Sequence, residues 1–467
     1  MKMSNDRTDP FKGDLNYWIE EGKRMMADRQ RRIERARRWK FDTVAVHGLY
    51  DAKEALAHNN GSIMEPAYLS TAQVYHNSAE MEAGLAYLMP NWCYSRIANP
   101  SNYFLEETTA LLESYATGLD ATCLATGSGM SAIRTATEPF LVVDTSLPPI
   151  NIVTSAKLYG GTFQQFAVRR GEEQGIDIRW VKDSTDLEEW KSKIDEGTRF
   201  VYGEFPSNPS VALFDIAEVA KLAHAFDIPL IVDTTCASPA LTRPLQWGAD
   251  IVIQSASKVF STNGTTIAGL LTSRKNIVSK IGVDEMREDF ATWAKLWPYR
   301  DNGPALHPMG AILTLNDLRT LRPRMAQMSR TAMEVSTWLE QHPKVEQAHY
   351  PGLESYHAHA IAKKYMQLAD SDENLYGYML AIDILEKNPE ENINARKFYD
   401  ALDLTFRATD LGRVKTVATL NAISTHQQQG EEGRALASIK PSTCRIAVGM
   451  EDPQDIIADL EQALAAI

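Results

Sequence analysis

Two short runs, Leu230-Ile-Val-Asp233 and Asp250-Ile-Val-Ile253, are apolar without the every-other-residue alternation of a strand that faces water on one side. Runs of that kind belong to strands covered on both faces, and such strands are characteristic of parallel sheets flanked by helices. Ile150-Asn-Ile-Val153, Phe200-Val-Tyr202 and Ile267-Ala-Gly-Leu-Leu271 repeat the pattern between about residues 105 and 300, with helical stretches such as residues 216–226 between them. The alternation predicts an α/β fold with a mostly parallel central sheet. Beyond Pro304 a long helical region over residues 319–341, mixed elements and a last amphipathic helix over residues 453–465 predict a smaller C-terminal α/β domain.

At 467 residues the chain exceeds one ordinary domain. The expected organisation is a basic helical arm over 1–40, a second segment over 41–104, a large domain over 105–303 and a C-terminal domain over 304–467. In the arm, Trp18, Ile19, Met25, Met26, Ile33 and Trp39 sit among Arg29, Arg31, Arg32, Arg35, Arg37 and Arg38. That pattern suits a nucleic acid or an anionic surface in principle, and better an acidic face of a partner subunit. A formal charge of −13 argues against general nucleic-acid affinity, and no apolar run approaches the ~20 residues of a membrane span. Cys93, Cys123, Cys236 and Cys444 are scattered, without metal-ligand spacing. Reduced thiols, together with early acids (Asp6, Asp9, Asp14, Glu20, Glu21) that do not suit a transit peptide, make the cytoplasm the expected location.

The chemistry concentrates at the ends of the two buried runs. The first delivers Asp233; the second leads to Ser255-Ala-Ser-Lys258, a lysine twenty-five residues after the acid. A lysine that holds an aldehyde as a Schiff base, beside an acid that keeps a pyridine nitrogen protonated, is what pyridoxal 5'-phosphate (PLP) requires to act as an electron sink. The plain alternative is a surface lysine and a capping aspartate that never meet. Upstream, Thr126-Gly-Ser-Gly129-Met-Ser-Ala-Ile133 opens a helix, and a glycine-rich helix start offers free backbone N–H groups to a phosphate.

These residues belong to a longer series: Tyr94-Ser-Arg96-Ile-Ala-Asn-Pro100, Thr126-Gly-Ser-Gly-Met-Ser-Ala132, Leu158-Tyr-Gly-Gly-Thr162, Pro206-Ser-Asn208-Pro209, Val232-Asp-Thr-Thr235, Ser255-Ala-Ser-Lys258, His342-Pro-Lys-Val345, Tyr350-Pro-Gly-Leu353 and Arg445-Ile-Ala-Val-Gly-Met-Glu-Asp452. In this order they resemble the Cys/Met-metabolism (trans-sulfuration) family of PLP-dependent enzymes, from about residue 42 to the C-terminus. The resemblance implies a type I, aspartate aminotransferase-like fold. Lys258 would bind PLP and move protons, Asp233 would pair with the ring nitrogen, Asn208 with the phenolic oxygen, and Tyr159 would stack on the ring. Gly129, Met130, Ser255 and Ser257 would hold the phosphate. Tyr94 and Arg96, in the segment over 41–104, would reach the same phosphate in a neighbouring subunit. A homodimer would then be the active unit, with pairing into a tetramer expected. The implied substrate is a small amino acid contacted by Arg445, Asp410 and Thr425.

Within the family, Asn263-Gly-Thr-Thr-Ile-Ala-Gly269, Arg300-Asp-Asn-Gly-Pro-Ala-Leu306 and the run from Gly412-Arg-Val-Lys415 to Ser424-Thr-His426 look most like O-acetylhomoserine sulfhydrylases. Gly161 stands where methionine γ-lyases carry a cysteine, and Lys415 where cystathionine lyases carry a glutamate. The expected reaction is γ-replacement on an O-activated homoserine; the alternative is γ-elimination from a methionine-like or cationic substrate. A catalytically idle binding protein is at odds with an intact Lys258, Asp233 and Arg445. Asp410 departs from the family, as do Thr234 and Gln254. Its carboxylate is expected to pair with Arg407, Arg413 or Lys415, or else to accept a cationic substrate group.

Overall fold

The computed structural model describes residues 13–388 and 390–467. Its centre is a seven-stranded sheet built from β1 (Ala121–Thr126), β2 (Asn151–Ser155), β3 (Asp177–Val181), β4 (Thr198–Glu204), β5 (Leu230–Asp233), β6 (Ile251–Gln254) and β7 (Gly269–Arg274), in the order β1-β7-β6-β5-β4-β2-β3. Only β7 runs against the others, pairing antiparallel with both β1 and β6. The unalternated runs are explained by cover on both faces. Val232 joins an apolar cluster on one side, and Ile231, Ile251 and Ile253 join a second cluster on the other.

One expected strand starts late. Ile267 is exposed and β7 begins at Gly269, because the neighbouring Ala268 is engaged by Ser257, whose hydroxyl accepts from Ala268 N at 3.0 Å and donates to Ala268 O at 3.1 Å.

The second sheet combines β8 (Val345–His349), β9 (Met379–Ile384), β10 (Phe406–Arg407), β11 (Val417–Leu420) and β12 (Thr443–Ala447) in the order β10-β11-β12-β9-β8. The long helix Leu321–Glu340 packs on it, and the last helix Pro453–Ala465 packs against that helix and the helix Ile393–Ala401. One apolar cluster runs from Val232 and Phe205 through Leu315 and Tyr350 to Ile382 and Leu460, so the two sheets share a core. That continuity matters for function, since it fixes β12 and the loops of the small sheet against the carboxyl ends of β4, β5 and β6.

The basic arm forms the helix Leu15–Ala36, while residues 1–12, with Asp6 and Asp9, lie outside the described residues. Several of its arginines meet acids of their own chain: Arg29 pairs with Glu107 (2.7 Å), Arg32 with Glu54 (2.9 Å) and Arg35 with Asp51 (2.6 Å), and just past the helix Arg37 pairs with Asp120. Trp18 packs with Ala83 and Met89. Gly22 is required for that approach, because a Cβ there would lie 2.6 Å from Met89 Cβ.

Below the site, Gln254 Nε2 donates to Glu113 (2.9 Å) and to Thr234 Oγ1 (2.7 Å). Glu113 is fully buried, and that burial pushes its carboxyl up to about 8. The folded state therefore keeps a proton that the unfolded chain gives up near 4.5, so Glu113 weakens stability increasingly as pH rises from 4.5 to about 8. Glu113→Gln is expected to raise the thermal midpoint by several degrees at pH 8 and to leave it nearly unchanged at pH 5, as measured by calorimetry.

Candidate active site

Parallel pairing sets the site. In register, Glu204 of β4 stands beside Asp233 of β5, and Asp233 beside Ile253 of β6. The chain leaving β6 one residue later therefore starts its turn next to Asp233 and carries Lys258 back across the same edge. Asp233 is buried; its carboxylate accepts from Thr235 N at 2.9 Å and lies 3.4 Å from the Tyr202 hydroxyl. Burial pushes its carboxyl up to about 6, a setting that a cationic ring nitrogen would relieve. Burial, reinforced by the Asp233 charge, also pushes Glu204 well up.

The phosphate cradle forms where β1 ends. Ser128 caps the helix Gly129–Thr137 by accepting from Ser131 N at 3.1 Å. Across from it comes the turn after β6: a Cβ on Gly129 would lie 2.7 Å from Ser255 Cβ and 2.9 Å from Ser255 Oγ. Glycine is thus required where the helix start and the serine hydroxyl converge, and Met130 follows at the same exposed N–H end. Ser255 N is itself held by Thr235 Oγ1 at 2.7 Å, tying the cradle to the turn after Asp233. Ser257 is different, since its hydroxyl is taken up by the Ala268 main chain in both directions.

Asn208, Arg445 and Asp410 form the opposite wall. Arg445 lies on β12 between β11 and β9 and is fully buried. It donates through Nη1 to Asn208 Oδ1 (3.0 Å) and through Nη2 to the Asp410 carbonyl (2.6 Å), while its Nε is buried without a partner. Burial lowers its affinity for the proton. A buried guanidinium with an orphaned donor and no directly bonded carboxylate is a receptor for one.

The Asp410 carboxylate takes 3.0 Å from Lys258 Nζ and 2.5 Å from Arg413 Nε. Half-burial works against its charge, yet Arg413 and Lys258 hold its carboxyl below the usual range. Of the three expected partners only Arg413 is used: Arg407 donates to the Asp400 carbonyl, and Lys415 lies 4.7 Å from the Phe406 ring centroid. Gly412 makes the Lys258 contact possible. Its φ is +72°, and a Cβ would fall 2.7 Å from Val259 N and 3.1 Å from Lys258 C.

Tyr159 enters from the loop after β2. Its ring abuts Gly161, where an added Cβ would lie 2.6 Å from Tyr159 Cε1 and 3.2 Å from Met130 Sδ. Thr425 reaches the same loop through its carbonyl, 2.0 Å from where a Cβ on Gly160 would be, while its hydroxyl bonds Asn421 and His426. The expected residues of the cofactor and substrate sites thus converge, apart from Ser257, whose hydroxyl is committed to Ala268, and two others. Tyr94 is exposed, Arg96 stacks over it at 5.6 Å and donates to the Arg300 carbonyl, and no described contact joins either to Lys258, Asp233 or Ser255. Two residues without an assigned role, Glu204 and His426, prove central. Glu204 carried the same signal as Asp233, an acid closing a buried strand run, and His426 closed a quoted motif.

The residues fit PLP: a cradle where Gly129 meets Ser255, a buried Asp233 tied to it through Thr235, and Lys258 joined through Asp410 to Arg445, whose Nε has no partner. The model of the Cys/Met metabolism PLP-dependent enzyme family matches residues 42–465. The chain belongs to this family. It is 32% identical over 429 residues to an L-methionine gamma-lyase of Pseudomonas deceptionensis, covering 91% of this chain and 98% of that one. To the O-acetyl-L-homoserine sulfhydrylase of Leptospira meyeri it is 31% identical over 457 residues, covering 92% and 98%. Among solved structures, a putative O-acetylhomoserine (thiol)-lyase of Campylobacter jejuni superposes with a TM-score of 0.80 at 29% identity, covering 91% of this chain and all of that one. That structure carries a pyridoxyl-lysine monophosphate. The protein is therefore a PLP-dependent enzyme with the type I fold, in a family whose members perform γ-replacement or γ-elimination. Gly129→Ala is expected to weaken PLP uptake by about tenfold or more and, because its Cβ would crowd Ser255 Cβ, also to lower the thermal midpoint of the PLP-free protein, as read from visible absorbance and calorimetry.

Proposed function

We propose that this enzyme catalyses γ-replacement on an O-activated homoserine of the O-acetyl type, with sulfide or a small thiol as nucleophile. The observation that carries the reading is the setting of Gly161. A Cβ there would lie 2.6 Å from Tyr159 Cε1 and 3.2 Å from Met130 Sδ, so Tyr159 packs directly on the glycine and the cysteine that marks methionine γ-lyases has no counterpart. Lys415, stacked on Phe406, presents no carboxylate to the distal ammonium of cystathionine.

PLP, when bound, supplies the electron sink that stabilises negative charge developing on the substrate carbons. Arg445 takes the substrate α-carboxylate with the donor it does not spend on Asn208 or Asp410. Asn208, held through its Oδ1, keeps Nδ2 for the ring's phenolic oxygen. Asp233 holds the ring nitrogen, and Ser255 with the N–H groups of Gly129 and Met130 holds the phosphate. Lys258 would take the Cα proton, give it up again and only then take a Cβ proton, and Tyr159 would lie against the γ-substituent, which leaves as a carboxylate such as acetate. Orientation by these fixed groups supplies the rest of the rate.

The same proposal assigns the protein to a homodimer, paired into a tetramer, in the cytoplasm. Its support is the exposure of Leu69, Val74, Leu85, Leu88 and Tyr94 in the segment over 41–104, together with the engagement of Arg96 by Tyr94 and the Arg300 carbonyl and by none of the site residues among the described contacts. The four cysteines are unpaired, and among the described residues no helix is long and apolar enough to cross a membrane. The proposed domain limits remain 1–40, 41–104, 105–303 and 304–467.

A second reading, γ-elimination from a methionine-like or cationic γ-substituted amino acid, is favoured by Asp410, a partly exposed carboxylate beside Lys258. The PLP-loaded protein given O-acetyl-L-homoserine is expected to form homocysteine only when sulfide is present. Release of 2-oxobutyrate regardless of sulfide would replace the proposal with the lyase reading. Lys258→Ala should abolish turnover, and Asp410→Asn should leave turnover of this uncharged-tail substrate roughly intact. Arg96→Ala should weaken PLP retention on dialysis although Arg96 touches nothing in its own site; unchanged retention would sink the shared site.

A further inference from the structure

The peptide bond between Leu158 and Tyr159 is gripped at both ends by buried side chains from different sheets. Its N–H donates to Glu204 Oε1 at 2.7 Å, and its carbonyl accepts from His426 Nε2 at 3.2 Å. Glu204 closes β4 of the large sheet; His426 lies in the loop after β11 of the small one. We infer that Glu204 and His426 are positioning residues that set the plane of the Tyr159 ring over PLP by clamping this single peptide. The inference concerns cofactor alignment and holds for either reading of the substrate.

Donor and acceptor identities make the clamp directional. To donate to a carbonyl, His426 must carry its proton on Nε2, which leaves Nδ1 as an acceptor. The Thr425 hydroxyl, 2.8 Å away, donates to Nδ1 and in turn accepts from Asn421 Nδ2 at 3.1 Å. A one-way chain thus runs from Asn421 through Thr425 and His426 to the Leu158 carbonyl, locking one tautomer. Burial, which pushes the imidazole down to about 4, keeps it neutral at working pH, so it acts as a fixed donor and not as a proton carrier. The approach is close enough to dictate the next residue, since Gly160 has no space for a Cβ against the Thr425 carbonyl.

Glu204 does two jobs with one carboxylate. While Oε1 holds Tyr159 N, Oε2 accepts from Asn208 N at 3.1 Å, and Asn208 is the residue to which Arg445 donates. Stacking ring, phenolic-oxygen partner and carboxylate receptor are therefore referenced to a single buried side chain. An amide cannot replace it, because glutamine offers one acceptor where two N–H groups need partners.

A double-mutant cycle separates this role from general support of the fold. The full-length protein, stripped of PLP, is titrated with PLP, and the dissociation constant is measured for native, His426→Phe, Tyr159→Ala and the double variant. If His426 acts through Tyr159, His426→Phe weakens PLP binding about tenfold in the native background and less than about twofold once Tyr159→Ala is present. A purely structural role would weaken binding equally in both. The proposal stands if the two factors differ by about threefold or more, and a smaller difference, including no effect in either background, overturns it. Should His426→Phe fail to fold, His426→Leu, which likewise removes the Nε2–H donor, carries the same cycle with the same criterion. The induced visible circular dichroism per bound PLP is a second readout, expected to fall with either substitution while calorimetry shows the fold retained; an unchanged signal counts against the clamp.

Discussion

The parallel pairing of β4, β5 and β6 is the constraint on which the site depends. In-register parallel strands end at one edge, so an acid that closes one strand and the turn that follows the next are neighbours without any long-range search. Glu204, Asp233 and the Ser255–Lys258 turn occupy that edge in sequence. Covering both sheet faces with apolar side chains leaves water no route to these groups from the sides. The same burial that stabilises the sheet raises Asp233 and Glu204 and makes the edge receptive to a cation.

Around that edge the charges are arranged economically. Arg445 is buried with two oxygen acceptors and an orphaned Nε, so its positive charge is left for a ligand carboxylate. Asp410 sits between Lys258 and Arg413, so the lysine has a carboxylate partner whenever its nitrogen is free. Asp410 also serves Arg445 through its main-chain carbonyl, which explains how a position can change its side chain without losing the contact that holds the arginine. Arg413 balances the negative charge that Asp410 adds.

Much of the site was legible in the residues. Asp233 and Lys258 stood out because they follow runs too apolar for any but a doubly covered strand, and Gly129 because it opens a helix next to a strand end. Glu204 was legible by the same rule as Asp233 and escaped notice because it precedes, rather than belongs to, the Pro206-Ser-Asn208-Pro209 series. His426 closed a quoted motif but carried no chemical signal of its own, because a histidine in a polar loop acquires its role only when the loop is carried onto Leu158. The arm shows the opposite case. Its helix follows from its sequence, but the partners of Arg29, Arg32 and Arg35 are acids 78, 22 and 16 residues away in the same chain, and nothing in the arm itself says whose acids they are.

By itself the sequence determined which segments form buried strands, where glycine-rich and lysine-bearing turns fall, and which acid closes each strand, because these depend on periodicity and local backbone geometry. Tertiary structure decided the rest: that Arg445 meets Asn208 across two sheets, that Asp410 reaches Lys258 past Gly412, that Ser257 turns inward to Ala268, and that Tyr159 is held from both sides. Those contacts join residues up to 268 positions apart. Their distances depend on how two sheets settle on one shared core, a packing outcome to which no local pattern refers.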